Sequence, residues 1–569
     1  MGGMALAVRT MSQKDPLYAL PMAFGMLRDY SRKKLAADVM AGLTLGVIAL
    51  PLAMAFGIAS GVTPQQGIYT GIIAGFLISF FGGTKLCVGG PTGAFVVIVY
   101  GIVQTYGFEK LAVCTMLAGV LLVAMGLLKI GTLIKFIPYP VTTGFTSGIA
   151  VIILISQIKD FFGLALNRLP AEFFEKVPVL WAALPAGNPA ALALAAGSLI
   201  LLRLWPRLPL RHVPGPIVVL ILGTLAAAAL GLPVPTIGSE FGGIPAGLPA
   251  FSFPTVTLPI VQEMFQPAIT IALLAAIESL LCAVVADGMT GDRHNANTEL
   301  VGQGVANFCA PLFGGIPATG AIARTAANIQ AGGASPLSGM IHAGTLLAII
   351  LVAAPLAKFI PLASLSAILV AVALRMGEWR EFARIKKIPL ADAAVFLATF
   401  LLTIIFDLTV AVEIGMLLAA LLFIKRVTDT TVIHQVTEDN EDEGERHSVV
   451  GKDIPDGVTI YRIAGPFLFG AADKLEDALV AANARPKLVI LRMRAVTSMD
   501  ATALNALEML VAKIKAQSGH VIICGAHTQP YFMMTQAGFL DEIGDDHVAA
   551  DVDEALRMAR GIISRPAAQ

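Results

Sequence analysis

Charge is what this chain lacks most. Only 14% of its 569 residues are Asp, Glu, Lys or Arg, against about 25% in soluble domains. The acids and bases cancel, 39 against 39, so there is no bulk field of either sign for holding nucleic acid. Cysteine is scarce too. Cys87, Cys114, Cys282, Cys309 and Cys524 form no CxxC pair and no Cys/His cluster, which leaves no metal-binding pattern and no disulfide framework. They read as small buried hydrophobes. The eight histidines lie mostly in loops or the tail, too dispersed for a membrane-embedded enzyme centre, and no catalytic constellation is visible. No cofactor is expected.

What the chain has instead is apolar length. It is 56% hydrophobic with a mean hydropathy of +0.78, and stretches near the 20 residues needed to cross a bilayer recur from Leu35 to Ile424. Leu111–Leu128, Ile217–Leu232, Pro267–Ala286, Thr345–Pro361 and the region around Phe396–Ile405 are the clearest. Others are interrupted by Gly and Pro; together they read as fourteen spans. The first begins only after Arg28, Arg32, Lys33 and Lys34, with neither the early apolar core nor the processing site of a signal peptide. Residues 1–34 are therefore expected to stay as a cytoplasmic segment, with the membrane domain at 35–427.

Sidedness follows from the Lys/Arg bias of short loops. The connections carrying Arg203, Arg207 and Arg211, then Arg293, then Arg375, Arg380, Arg384, Lys386 and Lys387 face the cytoplasm. The connection from Leu232 to Phe265 has no Lys or Arg, only Glu240 and Glu263, and lies outside. Lys425-Arg426 ends the last span inside, so both termini are cytoplasmic and the span number is even.

A weak repeat relates the two halves. Gly82-Gly83 is followed by Pro91-Thr92-Gly93-Ala94, and Gly314-Gly315 by Pro317-Ala318-Thr319-Gly320-Ala321. Matched Gly/Pro-interrupted segments are the best sequence pointer to a transporter site. Seven spans per half, an odd number, would make the repeat inverted. A helix that begins in mid-membrane directs unpaired N–H groups into the gap, and two facing each other make an anion seat without a metal. The bland alternative is a pair of kinks at tight helix crossings, where Gly is common.

Leu50-Pro51-Leu52-Ala53-Met54-Ala55-Phe56, Gly67-Ile68-Tyr69-Thr70, the run Asn297–Gly304, Asn307, Phe313-Gly314-Gly315 and Ala323-Arg324-Thr325-Ala326-Ala327-Asn328 resemble the sulfate permease (SulP) family of anion transporters. The resemblance implies an all-α membrane domain of seven plus seven inverted spans, divided into core and gate. It also implies alternating access, dimerisation and a bacterial inner-membrane location. Its anion site would take Thr92, Gly93 and Ala94 from the third span and Thr319, Gly320, Ala321, Ile322 and Arg324 from the tenth. Leu52 and Phe56 would supply the remaining wall. Leu52 and Thr92 stand where animal members carry Gln and Phe, so halide selectivity does not transfer. Ala276–Gly291 looks most like DauA-type C4-dicarboxylate transporters, implying uptake of succinate, fumarate or aspartate, with bicarbonate or sulfate as the alternative.

Glu278 sits within an apolar span, where an ionised carboxylate is costly. It is read as a proton-coupling residue, with sodium as the alternative cation. Sodium-coupled bicarbonate relatives have an Asp there and a Thr one turn later; here the turn carries Cys282, a poor ligand for a hard cation.

Beyond the last span, residues 428–450 read as a linker because of Glu438-Asp439-Asn440-Glu441-Asp442-Glu443. From 451 to 569, strands at Thr459–Ala464, Leu488–Met493 and Val521–Cys524 alternate with helices at Ala501–Lys515 and Val552–Ala559, an α/β pattern. It resembles the STAS domain, a cytoplasmic docking and regulatory module. Asp500 is the expected N-cap; Thr502 is the one hydroxyl at the place phosphorylated in the anti-sigma-factor antagonists that share the fold, and here the segment reads as a plain helix cap.

Overall fold

The computed structural model describes residues 20–564 apart from 27–29, 135–137, 167–168, 171–172, 208–213, 245–246, 407, 437–448, 450, 469–473 and 476–486. Arg28, Arg211 and the acidic run 438–443 thus lie outside the described residues. The chain divides into two units, Met1–Met416 and Leu417–Gln569.

Backbone polar groups in hydrocarbon must be satisfied within the segment, and the apolar stretches of the first unit are accordingly helical. In chain order they are α1 (Arg32–Ala59), α2 (Pro64–Phe81), α3 (Gly93–Leu127), α4 (Tyr139–Ser156), α5 (Pro189–Leu204) and α6 (Gly215–Ala229). The second half supplies α7 (Leu258–Thr290), α8 (Ala296–Cys309), α9 (Ile322–Gln330), α10 (Leu337–Ala357), α11 (Leu362–Met376) and α12 (Leu390–Ile405). Then α13 (Leu408–Thr430) carries the chain into the second unit.

Gly107 breaks α3, with φ 82° and ψ 170°, a conformation only glycine adopts freely. Its limbs, 93–106 and 108–127, are two passes, which brings these helices to the fourteen expected. Among the described residues, seven helices are long and apolar enough to cross a membrane by themselves. By contrast α9, with 9 residues, extends only about 14 Å at 1.5 Å per residue, far short of a bilayer.

The packing is reciprocal between halves. The 108–127 limb lies on α8, and α2 lies on α10. Likewise α4 packs on α12 and α5 on α11. Exchanging the halves turns each pair into the other, as an inverted repeat requires. Small residues set these approaches: a Cβ at Gly304 would come 2.6 Å from the Gly119 oxygen, and one at Gly148 would come 2.6 Å from Thr403 Cβ. Helices α1–α3 and α7–α10 thereby form one bundle, the core, and α4–α6 with α11 and α12 form the gate.

Before α3 and α9 the chain is extended. Strand β1 (Gly89–Gly90) pairs antiparallel with β2 (Thr319–Gly320), Gly89 opposite Gly320 and Gly90 opposite Thr319.

The second unit holds a five-stranded sheet of β3 (Val432–Gln435), β4 (Val458–Phe467), β5 (Leu488–Met499), β6 (His520–Cys524) and β7 (Val548–Ala549), in that order. All its pairs are parallel except β3 with β4. Helices α14 (Ala501–Ala516), α15 (Thr528–Gln536), α16 (Phe539–Ile543) and α17 (Val552–Ile563) complete it. The strands alternate in burial: Tyr461, Val489, Leu491 and Ile523 fill one cluster, and Ile460, Ile490 and Ile522 fill another. Asp500 caps α14 by accepting from Ala503 N at 2.8 Å, and Thr502 is exposed beside it. One expectation is corrected. Val432–Gln435, placed in the linker, is the antiparallel edge strand.

Candidate functional site

The two half-helices begin beside the β1–β2 crossing. Thr92, in extended conformation, precedes the first turn of α3, and Ala321 holds the same place before α9; no side chain caps either start. Each first turn therefore keeps unpaired N–H groups at the positive end of its dipole. Ala321 N donates to Val88 O at 2.9 Å, drawing the two starts together. Glycine is required for this approach. A Cβ on Gly89 would overlap Ile78, and one on Gly320 would lie 2.7 Å from Cys87 Sγ.

The Thr-Gly-Ala repeat is out of structural register. Thr92 is the cap residue of its helix, whereas Thr319 lies two residues before the cap Ala321 and opposite Gly90 in the ladder. The structural equivalent of Thr92 is Ala321. Both threonines nevertheless turn to one helix, α7: Thr92 Oγ1 donates to Glu278 Oε2 at 3.2 Å, and Thr319 Oγ1 to Ala275 O at 3.0 Å. Thr319 is fully buried, while Glu278 is only partly so.

The remaining expected residues sort by exposure. Gly93 faces Phe56, Ile153 and Met376, all 3.2–3.4 Å from where its Cβ would be; Ile153 and Met376 come from the gate. Ala94 is buried, Leu52 and Ala321 partly buried, and Ile322 exposed. Arg324 is buried with its guanidinium on backbone: Nη1 donates to Gly89 O at 3.3 Å and Nη2 to Pro91 O at 2.6 Å. It ties α9 to the strand leading into α3, and its charge lies behind the Thr92 turn. Glu278 and Arg324 are each engaged elsewhere. Cys282 Sγ donates to Thr325 Oγ1 at 3.1 Å and lies 3.7 Å from Cys87 Sγ, turned to the crossing.

Motif residues not assigned to the site hold the irregular backbone around it. Non-helical chain at membrane depth needs partners, and each half supplies them to the other. Glu299, fully buried, accepts from Gly83 N at 3.0 Å, Thr84 Oγ1 at 2.8 Å and Gln303 Nε2 at 2.8 Å. Thr325 accepts from Val88 N at 3.0 Å, and Asn328 donates to Leu86 O at 3.1 Å. In the other direction Thr70 accepts from Ile316 N at 2.8 Å. Within the second half itself, Asn307 bonds both the N–H and the carbonyl of Ala318, each at 2.8 Å. Their common signal was available: hydrogen-bonding side chains inside otherwise apolar helices.

Comparison with known proteins agrees with this architecture. The sulfate permease family pattern matches residues 35–399 and the STAS domain pattern residues 450–555. YvdB of Bacillus subtilis, named as a sulfate transporter, is 43% identical over 93% of this chain and 99% of its own. The bicarbonate transporter BicA of Picosynechococcus is 32% identical over 93% of this chain and 95% of its own. The murine Solute Carrier 26 member A9 anion transporter superposes with a TM-score of 0.84 at 19% identity, covering 97% of this chain and 96% of that one, which shows the fold. The DauA-like kinship read from residues 276–291 is corrected: these whole-chain relatives are named for sulfate and bicarbonate, and C4-dicarboxylates are not supported. The chain belongs to the sulfate permease family of membrane anion transporters, with a STAS domain following its membrane domain.

Proposed function

We propose that this protein is a secondary active importer of a small inorganic oxyanion, sulfate first and bicarbonate second, which takes up a proton with its anion through Glu278. The observation that carries the reading is the Thr92–Glu278 hydrogen bond of 3.2 Å. It sets a partly accessible carboxylate at the start of α3, where the positive end of the half-helix would receive the anion. Two unit negative charges about 5 Å apart repel by roughly 3 kcal/mol at an effective dielectric of 20. A proton on Glu278 removes that repulsion, so anion and proton favour each other's binding, and the coupling is reciprocal.

Sodium is the weaker partner. The residue one turn after Glu278 is Cys282, whose sulfur is engaged with Thr325, and a thiol is a poor ligand for a hard cation. Sulfate takes precedence over bicarbonate because the more similar of the two relatives is the one named for it. Motion of the core helices against the gate would carry the seat between the two faces. The N-terminus and the STAS domain lie in the cytoplasm, the latter serving dimerisation and protein docking.

Labelled sulfate uptake into proteoliposomes tests this reading, with bicarbonate and succinate as competitors. Uptake driven by an acidic exterior, indifferent to sodium and not displaced by succinate, is the expected result. Displacement by succinate, or an absolute need for sodium, contradicts it.

A further inference from the structure

Among the described residues of the first unit, Lys176 is a buried cation that the seat described above does not use. Lys176 belongs to the helix Phe173–Ala183, in the connection between α4 and α5, which lies one pass, α5, from the cytoplasmic Arg203 and Arg207 and so faces outside. It is only 4% exposed. Among the described residues its Nζ makes no ion pair and rests 5.0 Å from the centroid of the Tyr100 ring. Burial lowers the ammonium's pKa from the usual lysine value, as desolvation of an uncompensated cation does.

Tyr100 connects this cation to the seat. It stands on α3 seven residues beyond Gly93, about 10 Å along the axis at 1.5 Å per residue. Its hydroxyl donates to Leu169 O at 2.7 Å. Its ring lies against the turn between α1 and α2, where a Cβ on Gly61 would come 3.0 Å from Tyr100 Cδ2. One core ring therefore meets Leu169 and Lys176 of the connection between two gate helices, on the outer side of the half-helix. An aromatic face offsets a buried ammonium less well than an anion does.

We propose that Lys176 is the anion-receiving residue at the outer mouth of the transport path. When the core moves against the gate, Tyr100 parts from Leu169 and Lys176, and the freed ammonium holds the incoming oxyanion two helical turns outward of the Thr92 seat. When the mouth closes, the ring takes the ammonium back and the anion passes inward. This rests on the anion-import reading and adds the residue the substrate meets first.

Labelled sulfate flux in right-side-out and inside-out vesicles tests it. Lys176→Gln should raise the KM for entry from the outer face about tenfold with the entry kcat within about twofold. The matching fall in kcat/KM for exit, which detailed balance requires, should appear in kcat and leave the inner KM within about twofold, the signature of lost binding on one side. Lys176→Arg should stay close to wild type. In Lys176→Cys, an impermeant aminoethyl methanethiosulfonate added outside should restore entry, and the sulfonatoethyl reagent should not. Unchanged outer KM in Lys176→Gln, or equal changes in the outer and inner KM, overturns the proposal. If the wild type moves no sulfate, the import reading fails, and labelling decides this inference separately. Failure of either reagent to reach Lys176→Cys from outside overturns it, and reaction from outside supports it.

Discussion

Gly90→Ala is the substitution that bears most directly on the crossing. Gly90 has φ +143°, and a Cβ there would overlap Arg324 Nη1 and lie 3.2 Å from Cζ. The guanidinium has no slack on this side, because Nη1 already reaches Gly89 O at 3.3 Å while Nη2 is drawn to Pro91 O at 2.6 Å. To relieve the overlap the planar group must shift by roughly an ångström, beyond hydrogen-bonding range for Nη1. Losing one charge-assisted bond costs about 1.5–3 kcal/mol, and a sparsely populated backbone conformation for an L-residue adds about 1–3 kcal/mol. The sum, about 2.5–6 kcal/mol, reaches the lower end of the stability of a typical domain. Gly101→Ala is the control: it lies in the same limb of α3 with nothing within 4 Å of its would-be Cβ. Alanine there should be neutral or slightly stabilising, by about 0.5–1 kcal/mol. Thermal unfolding in detergent, followed by tryptophan fluorescence, should show Gly90→Ala melting several degrees below wild type and Gly101→Ala at or above it. Equal melting of Gly90→Ala and wild type would refute the claim that Arg324 and Gly90 occupy one space.

Two further outcomes follow from single contacts. Thr92→Val removes the hydroxyl on Glu278 and should raise the sulfate KM and alter its pH dependence. Thr319→Val removes only a bond to Ala275 O and should cost about 1 kcal/mol of stability with little change in KM, so equal affinity losses in both would contradict the register found here. In the second unit, burial pushes the Cys524 thiol up to about 11, leaving about one thiolate in a thousand at pH 8. Its maleimide labelling in the folded full-length protein should be at least about two hundred times slower than a free thiol and rise about tenfold from pH 8 to pH 9. Labelling at the free-thiol rate, with the free thiol's shallower pH slope, is the contrary outcome.

Much of this architecture was legible because bilayers demand so much of a sequence. Runs near 20 apolar residues gave the spans, and the double glycines with Thr-Gly-Ala marked the interrupted segments. The register of those segments was not legible. Thr319 and Thr92 match as letters, but helix starts are set by where the ladder ends, and that depends on Gly90 meeting Thr319 across 229 positions. Glu278 stands out in the sequence as a carboxylate within an apolar span, yet its partner Thr92 lies 186 residues away. Glu299, Asn307 and Asn328 read as motif letters until the extended backbone they satisfy was in view. Val432–Gln435 is not legible as a strand, because 4 residues beside an acidic run have too little periodicity.

The most direct test of the central claim compares net uptake with exchange in Glu278→Gln. Glutamine keeps the size and accepts from the Thr92 hydroxyl through its carbonyl, but it cannot gain or lose a proton. Proteoliposomes loaded with unlabelled sulfate, and others without it, would be given labelled sulfate outside at acidic and neutral pH. If Glu278 carries the coupling proton, wild type accumulates label when the exterior is acidic, whereas Glu278→Gln exchanges label one for one and accumulates none. Proton-driven accumulation by Glu278→Gln at the wild-type rate would contradict it.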